Sequence, residues 1–137
     1  MNADFLDAHD RHWKDAEFLL EDSRLANADH LYGLASECGL KRLMVAFGML
    51  LDSDGKPKKQ DDKVHANKVW DRYETYRAGR PEASAYELPI PNPFDDWDVA
   101  QRYAPRSTFC ASRVAKHQKG CECINVLIKK AIKDGWL

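Results

Sequence analysis

The sequence predicts an all-α fold, an up-and-down bundle of four main helices with one additional short helix. Three observations carry that prediction. Apolar residues recur at three- and four-residue spacing in four long segments, no segment shows a convincing strand pattern, and the breaks fall at glycine, proline and aspartate. The 137 residues are read as one domain, 1–137, large enough to bury a core.

The first helix is expected from about Asp4 to Asp22, with Phe5, Ala8, Trp13, Ala16, Leu19 and Leu20 along its apolar face. A longer second helix opens at Asn27 or Ala28, and Leu31, Ala35, Cys38, Leu43, Phe47 and Leu50 form its stripe. It stops in DSDGKPKK, residues 52–59, where Asp54-Gly55 and Pro57 break any helix. That stretch lacks the later ligands and closing glutamate of a calcium loop, so it reads as a turn.

A third helix fits residues 62–78, through Val64, Val69, Trp70, Tyr73 and Tyr76, and ends at Gly79 and Pro81. Residues 80–95 carry prolines at 81, 89, 91 and 93, which fit neither a helix nor a central strand. So long an irregular segment suggests a functional loop or lid. The short helix is expected at about 95–103, closed by Pro105. Ser107 or Thr108 then caps a last helix reaching about Asp134, with Val114, Cys121, Ile124, Leu127, Ile128 and Ala131 facing inward.

Hydrophobic content of 44% and charged content of 31% fit a globular protein and argue against disorder. The opening residues, MNADFLDAHDRH, are acidic and polar, unlike a secretory leader. No apolar run approaches the roughly 20 residues needed to span a bilayer. The expectation is a cytoplasmic protein without a membrane partner, its four cysteines reduced. Cys38, Cys110, Cys121 and Cys123 form no paired C-x-x-C knuckle. They read as free thiols rather than as a zinc site of Cys110, Cys121 and His117. No metal and no cofactor are expected.

Charge is unevenly distributed. Residues 1–63 carry net −4, residues 64–100 net −3 and residues 101–137 net +6. A basic C-terminal quarter fits a phosphate-bearing partner. It fits equally a helix lying against acidic helices of its own fold or of a dimer mate. No Gly-rich phosphate loop occurs, which excludes the usual nucleotide hydrolysis.

In LYGLASECGLK, residues 31–41, Gly33 and Gly39 fit a close approach by another helix. Glu37 and Lys41 stand in the favourable i, i+4 order. On the surface such a pair adds little; half-buried, it fixes the register of two helices.

Asp15-Ala16 and Leu19, then Arg24, Ala28, Leu31-Tyr32-Gly33-Leu34-Ala35-Ser36-Glu37-Cys38 and Leu40-Lys41 together resemble the HEPN superfamily of bacterial helical domains. His65 after the turn, and Trp97, Arg102 and Tyr103 before the last helix, extend the likeness over most of the chain, residues 80–95 excepted. The resemblance implies a bundle of four or five helices acting as a homodimer. It further implies RNA or a nucleotide as ligand and an antitoxin protein as partner, in toxin–antitoxin and host-defence systems. Many members are metal-independent endoribonucleases, with the signature Arg, four to six residues, His. It also places a helix-capping histidine at His65.

Histidine moves protons near neutral pH, and arginine holds a phosphate and offsets developing charge. Arg113 and His117 share a face of the basic last helix, with three residues between them, one short of that signature. They are the catalytic candidates, Arg113 on the scissile phosphate and His117 as acid–base. Arg102 and Arg106 are the candidates for holding the RNA backbone. Arg24 and His30, five residues between them, match the spacing formally but lie in the first interhelical connection. The alternative reading is a non-catalytic dimeric binding module with a degenerate site. His9 and His12 read as rim residues, and Cys38 as a buried thiol. Trp70, Tyr73, Tyr76, Trp97 and Tyr103 read as core rather than as a platform for bases.

Overall fold

Asp4 opens the first helix by accepting from the backbone N–H groups of Leu6 and Asp7 at 3.1 and 3.0 Å, two donors that otherwise lack partners. Helix α1 (Phe5–Glu21) follows. The computed structural model describes all 137 residues, and the chain is all-helical, with four α-helices and four short 3₁₀ segments.

Ser23, at φ 58°, reverses the chain, so α2 (Leu25–Ala46) starts two residues before the expected Asn27. It ends at Ala46, ahead of Gly48 at φ 108°. Leu50, expected on its apolar face, therefore lies beyond the helix and is exposed. Helix α3 (Ala66–Arg77) begins later than expected, because Asp62 belongs to a separate 3₁₀ turn, Gln60–Asp62. Its buried carboxylate accepts from Arg72 Nε at 2.7 Å and Tyr76 Oη at 2.6 Å, which ties that turn to α3.

Beyond α3 the structure corrects three expectations. Pro81–Tyr86 is a 3₁₀ helix with proline at its start, where the missing N–H costs nothing. The helix expected at 95–103 is only a 3₁₀ segment, Val99–Tyr103, capped reciprocally by Asp98 and Gln101. Arg106–Thr108 is another, and Phe109 turns inward after it, so α4 (Ala111–Lys133) starts at Cys110 rather than at Ser107 or Thr108.

Residue pairings give the helix directions. His9 meets Ala35 and Gly39, and Glu17 meets Tyr32, so α1 and α2 are antiparallel. His9 also meets Asn125, and Glu17 meets Gln118, so α1 and α4 are antiparallel too. Helices α2 and α4 consequently point the same way, and the segment between them must return along the bundle. The proline-rich residues make that return. Tyr86 packs on Phe47 at one end and Trp97 packs on Gly33 at the other. An extended chain rises about 3.3 Å per residue against 1.5 Å in a helix, so a few residues suffice. Prolines favour that extension and need no ladder partner. Helix α3 pins the segment: Trp70 Nε1 donates to the Pro89 carbonyl at 3.1 Å, and Asn92 Nδ2 to that of Asn67 at 2.9 Å.

Burial decides the Glu37–Lys41 question. The pair closes at 2.6 Å with side chains 13% and 7% exposed, and His65 Nδ1 lies 3.1 Å from the other glutamate oxygen. His65 is the residue before α3 but makes no side-chain capping bond there; it reaches across to α2 instead. The Asp10–Lys14 pair has the same spacing and distance yet is mostly exposed. Glu37→Gln is therefore expected to cost about 3 kcal/mol by leaving a buried ammonium unpaired. Asp10→Asn should cost under about 0.5 kcal/mol. Urea unfolding of the two variants measures the contrast, and equal losses would refute it.

Candidate functional site

The most heavily charged part of the interior lies where the proline-rich segment meets the starts of α2 and α4. Asp29 sits one turn into α2, on the same stripe as Tyr32, Gly33, Ser36 and Leu40, all of them buried. His117 lies three residues after Val114 and four before Cys121 on the buried face of α4, and is fully inaccessible. Its Nδ1 is 2.6 Å from Asp29 Oδ1, and its Nε2 is 2.8 Å from Asp96 Oδ1. Both acceptors are carboxylate oxygens, so both ring nitrogens must donate and the ring carries charge. Phe94 stacks on the imidazole at 5.0 Å between centroids and 14° between planes.

Arg113, one turn earlier, serves the same carboxylates. Its Nη1 donates to Asp96 Oδ2 at 3.1 Å, and its Nη2 to the Asp96 carbonyl and Gln101 Oε1, both at 2.9 Å. Gln101 in turn donates to Asp29 Oδ2 at 2.8 Å. Arg113 Nε is buried without a hydrogen bond, since Asp29 Oδ2 stands at 3.5 Å. The guanidinium also lies over the Phe109 ring. Lys116 Nζ reaches Asp96 Oδ2 at 2.8 Å from the solvent side. Asp95 Oδ1 also stands 3.9 Å from Lys116 Nζ, so Arg113, Lys116 and His117 face three carboxylates, Asp29, Asp95 and Asp96.

Burial disfavours the Asp96 charge, but hydrogen bonds from Lys116 and His117 and the charge of Arg113 outweigh it. Its carboxyl is held down to about 2. A folded value below the ordinary carboxylate value near 4 means that Asp96 stabilises the fold above that pH. The contribution is lost as pH falls through about 2. Thermal melts between about pH 5 and 2 should therefore fall less steeply for Asp96→Asn than for the parent. Parallel slopes would contradict this.

The other candidates lie elsewhere. Arg102 is exposed; its Nη1 donates to the Val99 carbonyl at 2.8 Å and its guanidinium lies over Tyr103. Arg106 lines an open hollow of about 560 Å³ together with Asp22, Ser23, Arg24, Asn27 and Phe109. Neither arginine joins Arg113 and His117 through a hydrogen bond or ion pair. Arg24 pairs with Asp22 at 3.3 Å, while His30 stacks on Trp97, so no contact links that formal motif. Burial, then the charge of Arg102, lowers the His30 pKa.

Two other sequence readings change. His9 is buried rather than at the rim, with Nδ1 2.8 Å from the Ala35 carbonyl. Of the aromatic set, Trp70, Tyr73 and Trp97 are core, whereas Tyr103 is exposed. Cys110 is exposed and Cys121 fully buried, and no three His, Cys, Asp or Glu side chains cluster as metal ligands would. Burial pushes the Cys38 and Cys121 thiols up to about 12. No helix is long and apolar enough to cross a membrane.

The chain matches no family model, no curated protein and no solved structure.

Sequence reasoning passed over Asp29, Asp96, Gln101 and Lys116. A signal for Asp29 exists: it is an acid on an otherwise apolar stripe. The helical period likewise places His117 indoors, three past Val114. Nothing local in the sequence points to Asp96, which gains its partners only when residues 87–97 fold back over α4.

Proposed function

We propose that this chain is a HEPN-like helical binding module for RNA, and that Arg113 and His117 serve it as structural groups rather than as a nuclease pair. The observation that carries the non-catalytic half is the burial of His117 with both ring nitrogens committed to carboxylates. A general acid–base must reach the proton it moves, and this ring reaches none outside the protein.

Binding is assigned to the hollow at the start of α2. Arg106 and Arg24 line it, Arg24 paired there with the exposed Asp22, and no side chain caps the first N–H groups of α2, which leaves donors and a positive dipole end facing outward. The basic C-terminal quarter supplies the surrounding field.

Fluorescence anisotropy with a labelled single-stranded RNA tests the reading. Arg24→Ala/Arg106→Ala should weaken binding roughly tenfold, through the loss of charge-assisted contacts, and make it less salt-dependent. Absence of RNA binding by the parent, or unchanged binding by the double variant, would sink it. Metal-independent cleavage that His117→Ala abolishes would replace it with the nuclease reading.

A further inference from the structure

The returning proline-rich segment meets α4 at two anchor points. Pro93 and Phe94 close over Gly120, where an added Cβ would stand 2.6 Å from Pro93 Cγ and 2.8 Å from Phe94 Cε2. At the other end Tyr86 Oη donates to Asp134 Oδ2 at 2.6 Å, and Lys130 Nζ lies over the Tyr86 ring. The helix between Gly120 and Lys130 covers about 15 Å. Residues 86–93, extended as polyproline, cover about 22 Å. The segment is longer than the gap and bows away from α4 between its anchors. What it leaves is a trough of about 440 Å³, with Leu88 and Pro89 on one wall and Cys123, Val126 and Leu127 on the other.

Three properties define what fits there. The trough is apolar and open: Val126 is 59% exposed, and Ile90 is 91% exposed in the adjoining hollow that Leu88 shares with α3. The backbone of the wall is half used. The Tyr86 and Pro89 carbonyls accept from Tyr73 Oη and Trp70 Nε1, three residues apart as the polyproline turn requires, whereas the N–H and C=O groups of Leu88 and Ile90 make no hydrogen bond within the chain. Charge favours a cation. Glu87 and Glu122 on the trough and Asp71 on the adjoining hollow form no ion pair, Glu74 is taken by Arg77, and Lys119 is the one unpaired base on either.

We propose that this trough binds an extended segment of a partner protein in which apolar side chains alternate with lysine or arginine. The apolar side chains rest on Leu88, Val126 and Leu127, and the basic ones reach Glu87 and Glu122. The main chain of the incoming segment pairs with the free groups of Leu88 and Ile90, the mode in which backbone bonds give affinity and side-chain pockets give specificity. A length of about 15 Å takes roughly five extended residues. A second copy of this chain does not supply such a segment, because its long surfaces are helical and its extended stretch is the wall itself. The trough shares no residue with the hollow of Arg24 and Arg106, so it stands or falls apart from the RNA reading.

Fluorescence anisotropy of the full chain with a short labelled peptide of alternating valine and lysine tests this, with the valine–glutamate counterpart as control. The lysine peptide should bind at least about tenfold more tightly than the glutamate one. Glu87→Lys/Glu122→Lys should reverse that order, and Val126→Ser should weaken the lysine peptide about fivefold. All three side chains are exposed, and circular dichroism should show each variant folded as the parent is. In NMR the Leu88 and Ile90 amide signals should shift and exchange more slowly with the lysine peptide bound. No binding, equal binding of the two peptides, or variants that bind as the parent does would overturn the proposal. So would reversible self-association of the parent that Val126→Ser abolishes, since a second copy would then be the occupant.

Discussion

Gly33→Leu is expected to abolish cooperative folding. A Cβ at position 33 would stand 2.1 Å from Cε2 and Nε1 of Trp97, far inside the 3.5–4.0 Å at which carbon atoms pack. The indole has nowhere to go. It is 1% exposed, its Nε1 donates to the Asp29 carbonyl at 3.2 Å, and His30 is stacked on it at 5.3 Å. Displacing it also lifts the segment that carries Asp96 and Phe94 onto His117.

Even Gly33→Ala should cost about 2 kcal/mol, because overpacking loses up to about 3 and the better helix propensity returns about 1. That corresponds to a fall in Tm of roughly 5–8 °C. The larger leucine should exceed about 5 kcal/mol, the whole stability of many small domains. Circular dichroism melts are the measurement. A lowered but cooperative transition is expected for Gly33→Ala, and none for Gly33→Leu. A well-folded leucine variant would show that Trp97 does not depend on this contact.

Asp29→Ala should be the most damaging change at a charged position, at about 3–5 kcal/mol. It removes the acceptor of His117 Nδ1 and of Gln101 Nε2, and the nearest charge to Arg113 Nε. Each is then left in a place water does not reach. Asp29→Asn keeps the shape and one acceptor, and should cost less. The pair energy is separable from the desolvation of its members by a double-mutant cycle with His117→Phe, whose ring keeps the stacking on Phe94. The double variant should be less destabilised than the sum of the single changes by about 1–3 kcal/mol, since removing both partners leaves no orphaned charge. Additive losses, measured by urea unfolding, would show that Asp29 and His117 are not coupled.

How far the site was legible follows from where its members lie. Arg113 and His117 stand out because both lie on one helix at i, i+4 spacing, and the structure keeps them adjacent. Their surroundings invert the expectation attached to them. A basic helix face suggests solvent, yet the inward turn of α4 at Val114 and Cys121 carries His117 with it. The same holds for Glu37 and Lys41. Their spacing gives the pair, and only packing against α1 and the start of α3 makes it buried.

The amino-acid order alone settles what depends on neighbours a few residues apart. The helical class, the four long helices, the break at Gly55 and Pro57, and the glycines that admit another element all follow from local period and backbone freedom. Tertiary structure decides what depends on residues far apart in the chain. Gly33 meets Trp97, Asp29 meets His117, and Asp96 reaches over α4 to close the network. Those contacts span 64, 88 and 21 residues. They exist because an extended, proline-bearing segment runs back along the bundle, a path that no local spacing encodes.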